Sequence, residues 1–189
     1  MAMLSREIIE SMGFFAVGEN VQISDRASFY GTAQISLGND IRIDDFCVIS
    51  AGSGGIAIGN HVHIAVGVSL IGAGKITLSD FVGISSKTSI YSSNDDYSGA
   101  VMTGPTLPTK FTNVRHANVF IGKHVIVGSG SVILPGVTLD EGVAVGALSL
   151  VNRDCKAFGI YTGNPAKRVK ERKRDLLELE QQLMQSKRR

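Results

Sequence analysis

The chain has no tryptophan, and aromatic residues make up only 6% of its 189 residues. That excludes a core built on bulky rings, and twenty-two glycines point instead to closely approached backbones and small side chains. There are two cysteines, Cys47 and Cys155, far apart and without C-x-x-C spacing. They read as small buried or half-buried thiols, not as a disulfide framework or a redox pair. Net charge is scarce too: the formal +2 is small, and much of the basic excess crowds into Lys167–Arg189. A general nucleic-acid binder would carry its basic patch on the folded body. No segment approaches about 20 uninterrupted apolar residues, so no transmembrane span is expected. The opening "MAMLSREIIESMGFF" has charges in its first ten residues and no signal-peptide core, so a soluble, cytoplasmic protein is expected. The length suits one domain.

What the chain does have is a period of six. From Val17 it divides into "VGENVQ", "ISDRAS", "FYGTAQ", then "LGNDIR", "IDDFCV", then "IGNHVH", "IAVGVS", "LIGAGK", then "LSDFVG", "ISSKTS", "IYSSND". It resumes as "IGKHVI", "VGSGSV", "ILPGVT", "LDEGVA", "VGALSL", "VNRDCK". An apolar residue opens nearly every block, and a small or β-branched residue usually stands fifth. Both point inward while the rest turn a corner or face solvent, so three blocks make one triangular coil that hydrogen-bonds to its neighbours. Six such coils, about 4.8 Å apart, predict a prism ~29 Å tall. The repeat slips near Ile35–Leu37, Gly54–Gly55 and Ile76–Leu78, where corners must bulge.

With its tail motifs "ILPGVTL", "VGALSLV" and "GNPAKRVK", this pattern resembles the hexapeptide-repeat sugar acetyltransferases. The resemblance implies an all-β fold, a left-handed parallel β-helix, working as a homotrimer with active sites between protomers. The expected organisation is an N-terminal cap at 1–16, the β-helix at 17–160 with a loop excursion at 92–118, and a helical tail at 161–189. Leu4, Ile8, Ile9 and Met12 have helical spacing, a short lid over the first coil. From Pro165, a suitable first-turn residue, "AKRVKERKRDLLELEQQLMQ" is rich in helix formers. Val169, Leu176 and Leu183 fall seven apart, so the tails either associate or wrap their own prism.

The resemblance also implies acetyl-CoA as co-substrate, with no metal. Lys167 and Arg168 match the basic positions after the family's Gly-x-Pro turn and would meet its phosphates. Gly130, Gly146 and Ala147 would let the pantetheine arm lie against backbone amides. In the galactoside and maltose branch the catalytic base is a His after a strand ending "IY". Here Ile90 and Tyr91 match that "IY", Asp95 stands where the His is expected, and Lys87 stands where the family has Asn.

That departure leaves three readings. Asp95, beside Asn94 and Asp96, binds or deprotonates the acceptor, two adjacent acids raising one another's pKa; a His from another coil serves; or an amine acceptor needs only positioning. The His candidates are His63, at an outward sixth position where a neighbouring protomer could bring Asp95 or Asp96, and His116 at the end of the excursion. His61 and His124 fall at solvent corners. Lys87, Asn94, Asp96 and Tyr97 are the candidate substrate contacts, although "SNDDYSG" is also good turn chemistry. Long excursions from compact repeats are usually functional.

The loop and tail wording is most similar to the sub-branch acting on bacterial surface polysaccharides, which implies N-acetylation of a nucleotide-linked amino sugar. O-acetylation of a sugar hydroxyl and a non-catalytic assembly subunit are the alternatives. A zinc-dependent anhydrase of the same fold would need a His-x4-His pair that the chain lacks. "GSGG" and "GAGK" have no βαβ setting for dinucleotide binding.

Overall fold

The computed structural model describes residues 2–187. Met1, Arg188 and Arg189, the extremities of the expected cap and tail, lie outside them. The sixfold period becomes three parallel sheets around one apolar core. The first face stacks Ala16–Val17, Ile35–Leu37, Ile56–Ile58, Ile76–Leu78, Val119–Ile121 and Thr138–Leu139. On the second are Val21–Ile23, Ile41–Ile43, His63–Ile64, Gly83–Ile84, Ile126–Val127, Ala144–Val145 and Gly159–Thr162. The third stacks Ser28–Tyr30, Val48–Ala51, Ser69–Gly72, Ser89–Tyr91, Val132–Ile133 and Leu150–Val151. The fold is a left-handed parallel β-helix. The expected six coils are complete, and a bridge from Leu139 to Cys155 with the strand Gly159–Thr162 adds two faces of a seventh.

Equivalent block-opening residues superpose from coil to coil, so Leu37, Ile58, Leu78 and Ile121 pair in register and are at most 4% exposed. Each such side chain is worth about 1.5–3 kcal/mol of burial. Cys47 and Cys155 are free and buried. Burial pushes the Cys155 thiol up to about 11 and raises Cys47 as well, which leaves both unreactive. Two of the slips sit at the third corner, as a 3-10 turn at Thr32–Gln34 and a turn closed by Gly55 N–H on the Gly52 carbonyl. The N-terminal lid is a short helix, α1 (Arg6–Ser11), capped by Ser5 Oγ and anchored by Ile9, which is 1% exposed.

The tail departs from expectation. Lys167–Glu171 is a strand, antiparallel to Gly159–Thr162, and Pro165 lies in the turn between them, not in a helix. The last coil would otherwise leave a row of backbone donors and acceptors unpaired, and satisfying them outweighs the modest helix propensity of this stretch. Val169 therefore belongs to no heptad. A helix, α2 (Leu176–Ser186), follows and runs back along the prism's own first corner. That corner is a column of left-handed residues: Asn20, Asp40, His61, Phe81 and His124. His61 stacks on Phe81 at 4.8 Å and Phe81 on His124 at 4.9 Å. Glu180 of α2 accepts from Lys123 Nζ at 2.5 Å and meets His124 Nε2 at 2.7 Å. Lys187 reaches Asp40 at 2.8 Å, and Arg172 donates to the His124 carbonyl at 2.7 Å. His124, expected at a solvent corner, is thus buried beneath the helix, because the corner it occupies is covered.

Candidate active site

An open groove of about 340 Å³ crosses the outer side of the second face, lined by His63, Ala65, Gly83, Ser85, Ile126 and Ser129 among others. Its shape follows from register. His63 pairs with Gly83 and Gly83 with Ile126, so the missing side chain of Gly83 leaves a notch between an imidazole and an isoleucine. A Cβ there would meet only Ile126 Cγ1, at 4.0 Å. Behind His63, Asp44, 6% exposed, accepts from Arg42 Nε at 2.8 Å and meets His63 Nε2 at 2.8 Å. Burial works to raise Asp44's pKa, but those two partners outweigh it and hold the carboxyl below its usual value.

Beyond the groove, small residues continue along the same edge. Among the described residues the backbone N–H groups of Ser86, Ser129 and Ala147 donate no hydrogen bond, and they recur at one corner position coil after coil. The expected backbone contacts therefore divide. Ala147 offers a free N–H, whereas Gly130 N–H is committed to the Ser86 carbonyl and Gly146 N–H to that of Tyr161. Gly130 is a turn glycine at φ +69°, and at Gly146 a Cβ would come within 2.9 Å of Thr162 Oγ1. A Cβ at Gly130 would likewise come within 2.8 Å of Leu148 Cδ2, so both positions are closely packed. At the far end, Lys167 pairs with Thr162 in the exposed terminal strand, and Arg168 beside it is bonded to Glu171 at 2.5 Å. From His63 to this strand is five strand spacings, about 24 Å.

The excursion leaves from a different edge. Ser92 is buried and donates to the Gly74 carbonyl at 2.7 Å. Ser93–Asn94 pairs antiparallel with Arg115–His116, closing the loop at its base. His116 Nδ1 lies 2.8 Å from Ser93 Oγ, which accepts from Ala73 N–H. Asp95, Asp96, Tyr97 and Met102 line a depression in the loop. Asp96 accepts from Ser98 N–H at 2.7 Å and from Asn113 Nδ2 at 2.9 Å. These Ser98 and Asn113 bonds hold its carboxyl below the ordinary value, contrary to the expectation that two adjacent acids raise one another. Asp96 is thus a fixed anion that shapes the loop. Asp95 is half-buried, and its carboxylate has no hydrogen bond or ion pair among the described residues. Tyr97 is 86% exposed.

Within one chain the candidates form two groups. His63 and the corner residue Lys87 border the second face, while Asn94, Asp95, Asp96, Tyr97 and His116 sit at the third corner, with the third face between. No hydrogen bond joins His63 to Asp95 or Asp96 among the described residues. Sequence reasoning missed Asp44, Ser86 and Ser129. An acid in "IDDF" looks like turn chemistry, and only coil register sets it under His63. Among the described residues no group of three or more His, Cys, Asp or Glu could hold a metal ion, and no helix is long and apolar enough to cross a membrane.

No protein-family model matches the chain. A dTDP-4-amino-4,6-dideoxy-D-glucose acyltransferase from Escherichia coli is 58% identical over 180 residues, covering 95% of this chain and 94% of that one. The solved structure of AntD, an N-acyltransferase from Bacillus cereus in complex with dTDP and 3-hydroxybutyryl-CoA, matches with a TM-score of 0.94 at 43% identity, over 99% of this chain and 98% of that one. A serine-to-alanine variant of AntD, in complex with dTDP-4-amino-4,6-dideoxyglucose and coenzyme A, matches with a TM-score of 0.93 at 43% identity over 98% of both chains.

Proposed function

Because the chain belongs to the acyltransferase family represented by these dTDP-amino-sugar enzymes, we propose that it transfers an acetyl group from acetyl-CoA to the amine of a dTDP-linked 4-amino sugar. It is an acyl-CoA-dependent acyltransferase. The observation that supports the placement is the edge of the second face, which leads from an imidazole and a side-chain notch past free N–H groups to a basic strand. The acyl carbon lies in the groove beside His63 and Ser85. The pantetheine arm runs past the Ser86, Ser129 and Ala147 amides, its phosphates meet Lys167 and Arg168, and about 24 Å accommodates the extended arm. Gly130 and Gly146 serve this path by keeping the corner low.

The acceptor-binding loop and the groove occupy different edges of one chain, so a second copy has to bring them together. Three copies around a threefold axis place each loop against a neighbour's groove. Asp95 then faces the amino sugar as an unpaired carboxylate, with Asn94, Tyr97 and Lys87 around it, and His116 holds the loop base closed through Ser93. Acyl transfer needs alignment, donors toward the developing oxyanion and a proton acceptor; the amine lone pair attacks, the thioester C–S bond breaks and the proton leaves through His63. Both substrates are cytoplasmic metabolites, which puts the enzyme in the cytoplasm, at a step toward a surface polysaccharide.

The test is thiol release from acetyl-CoA against dTDP-, UDP- and GDP-linked amino sugars and their hydroxyl counterparts. Turnover is expected with dTDP-4-amino-4,6-dideoxyglucose. Turnover confined to hydroxyl acceptors overturns the N-transfer reading.

A further inference from the structure

His63 and Asp44 are a mismatched pair in their exposure. The Asp44 side chain is 9% exposed, whereas that of His63 is 53% exposed and stands at the groove. A buried carboxylate needs partners, and Arg42 Nε at 2.8 Å already supplies a permanent cation. A half-exposed imidazole adds little to that for stability. Its position is better explained by what the carboxylate does to the ring. Asp44, held as an anion, can only accept, so His63 Nε2 carries the hydrogen and donates it. In the neutral ring that leaves Nδ1 unprotonated, and Nδ1 has no hydrogen-bond partner among the described residues.

We propose that Asp44 is a positioning residue that fixes the tautomer and orientation of His63, so that Nδ1 takes the proton from the attacking amine. The proposal rests on the groove being the acyl-transfer site. The amine nitrogen forms a bond to the thioester carbonyl carbon and its proton passes to Nδ1. The C–S bond then breaks with its electron pair on sulfur, and the thiolate recovers that proton from the imidazolium. Asp44 stabilises the transient cation without itself being protonated. Arg42, bonded to the other carboxylate oxygen, keeps Asp44 an acceptor throughout.

Asp44→Asn reverses the logic with little change of shape. Arg42 claims the amide oxygen, so the NH2 faces His63 and donates to Nε2. The ring is forced into the Nδ1–H tautomer, which cannot accept the amine's proton. Steady-state kinetics of Asp44→Asn, His63→Ala and the double variant, with thermal midpoints as a folding control, decide the matter. Asp44→Asn should lower kcat about 10- to 100-fold with both KM values within about twofold. The double variant should be no slower than His63→Ala alone, because Asp44 acts through His63. Wild-type kcat in Asp44→Asn, or two effects that multiply, overturns the proposal. Long-range 1H–15N NMR of the ring nitrogens in the unliganded protein is independent of turnover: Nε2–H is expected in the wild type and Nδ1–H in Asp44→Asn. A wild-type Nδ1–H ring overturns the pairing. Failure of the wild type to turn over any amino sugar sinks the assigned reaction instead, leaving the NMR result to judge the pair.

Discussion

Replacing Gly83 sets stability and activity against each other. Gly83 lies in a strand of the second face, and a Cβ added there meets only Ile126 Cγ1, at 4.0 Å, an ordinary van der Waals contact. Its backbone is not in the left-handed region, so a side chain introduces no strain. Glycine in a strand interior costs about 0.5–1 kcal/mol relative to alanine, and β-branched residues suit strands better still. At this chain length about 1 kcal/mol corresponds to roughly 2–4 °C in Tm. Gly83→Ala and Gly83→Val should therefore keep the wild-type Tm or raise it by up to about 4 °C. Each added methyl nevertheless fills the notch between His63 and Ile126, where the acyl carbon is proposed to lie. A displacement of about 1 Å of the reacting atoms costs on the order of 10²-fold. The expected kcat/KM for acetyl-CoA falls about tenfold in Gly83→Ala and about 10²-fold in Gly83→Val. Calorimetry with thiol-release kinetics on the two variants provides the check. A Gly83→Val enzyme that is at least as stable as the wild type and fully active refutes the placement of the acyl group.

The tail and the cofactor path give three further expectations. Glu180→Gln weakens the bonds to Lys123 and His124, and should speed amide exchange across Leu176–Ser186 by about 5- to 30-fold without lowering the prism's stability; unchanged exchange shows that α2 is held by other contacts. Lys123 and then His124 hold the Glu180 carboxyl below its ordinary value, despite the opposing effect of burial. Its contribution is fully present above the unfolded-state value of about 4.5 and is lost as pH falls through the lower folded value, so α2 exchange should accelerate in acid. Lys167→Ala should raise KM for acetyl-CoA severalfold, about 1 kcal/mol, and leave KM for the amino sugar unchanged, measured at fixed ionic strength; equal effects on both substrates argue against a phosphate contact.

The sequence by itself determined the prism. A block-opening apolar residue every sixth position can be buried only if each block turns a corner, and backbone hydrogen bonds then have nowhere to go but the neighbouring coils. The excursion after Tyr91 followed from where that pattern breaks, the thiols from their number and spacing, and the lid at α1 from the helical spacing of Leu4, Ile8, Ile9 and Met12. The tail did not, because "AKRVKERKR" has acceptable helix propensity and only the open edge of the last coil makes a strand of it. His124 was misplaced for a related reason, since a corner is exposed until something covers it, and α2 covers this one. Only the tertiary structure set Asp44 beneath His63. Those residues stand 19 positions apart, and no local pattern encodes their meeting; it arises because coil length brings Arg42 and His63 into register on one face. Tertiary structure also separated the groove from the loop acids, placing them on different edges of a triangle, a fact of three dimensions that a one-dimensional period does not contain.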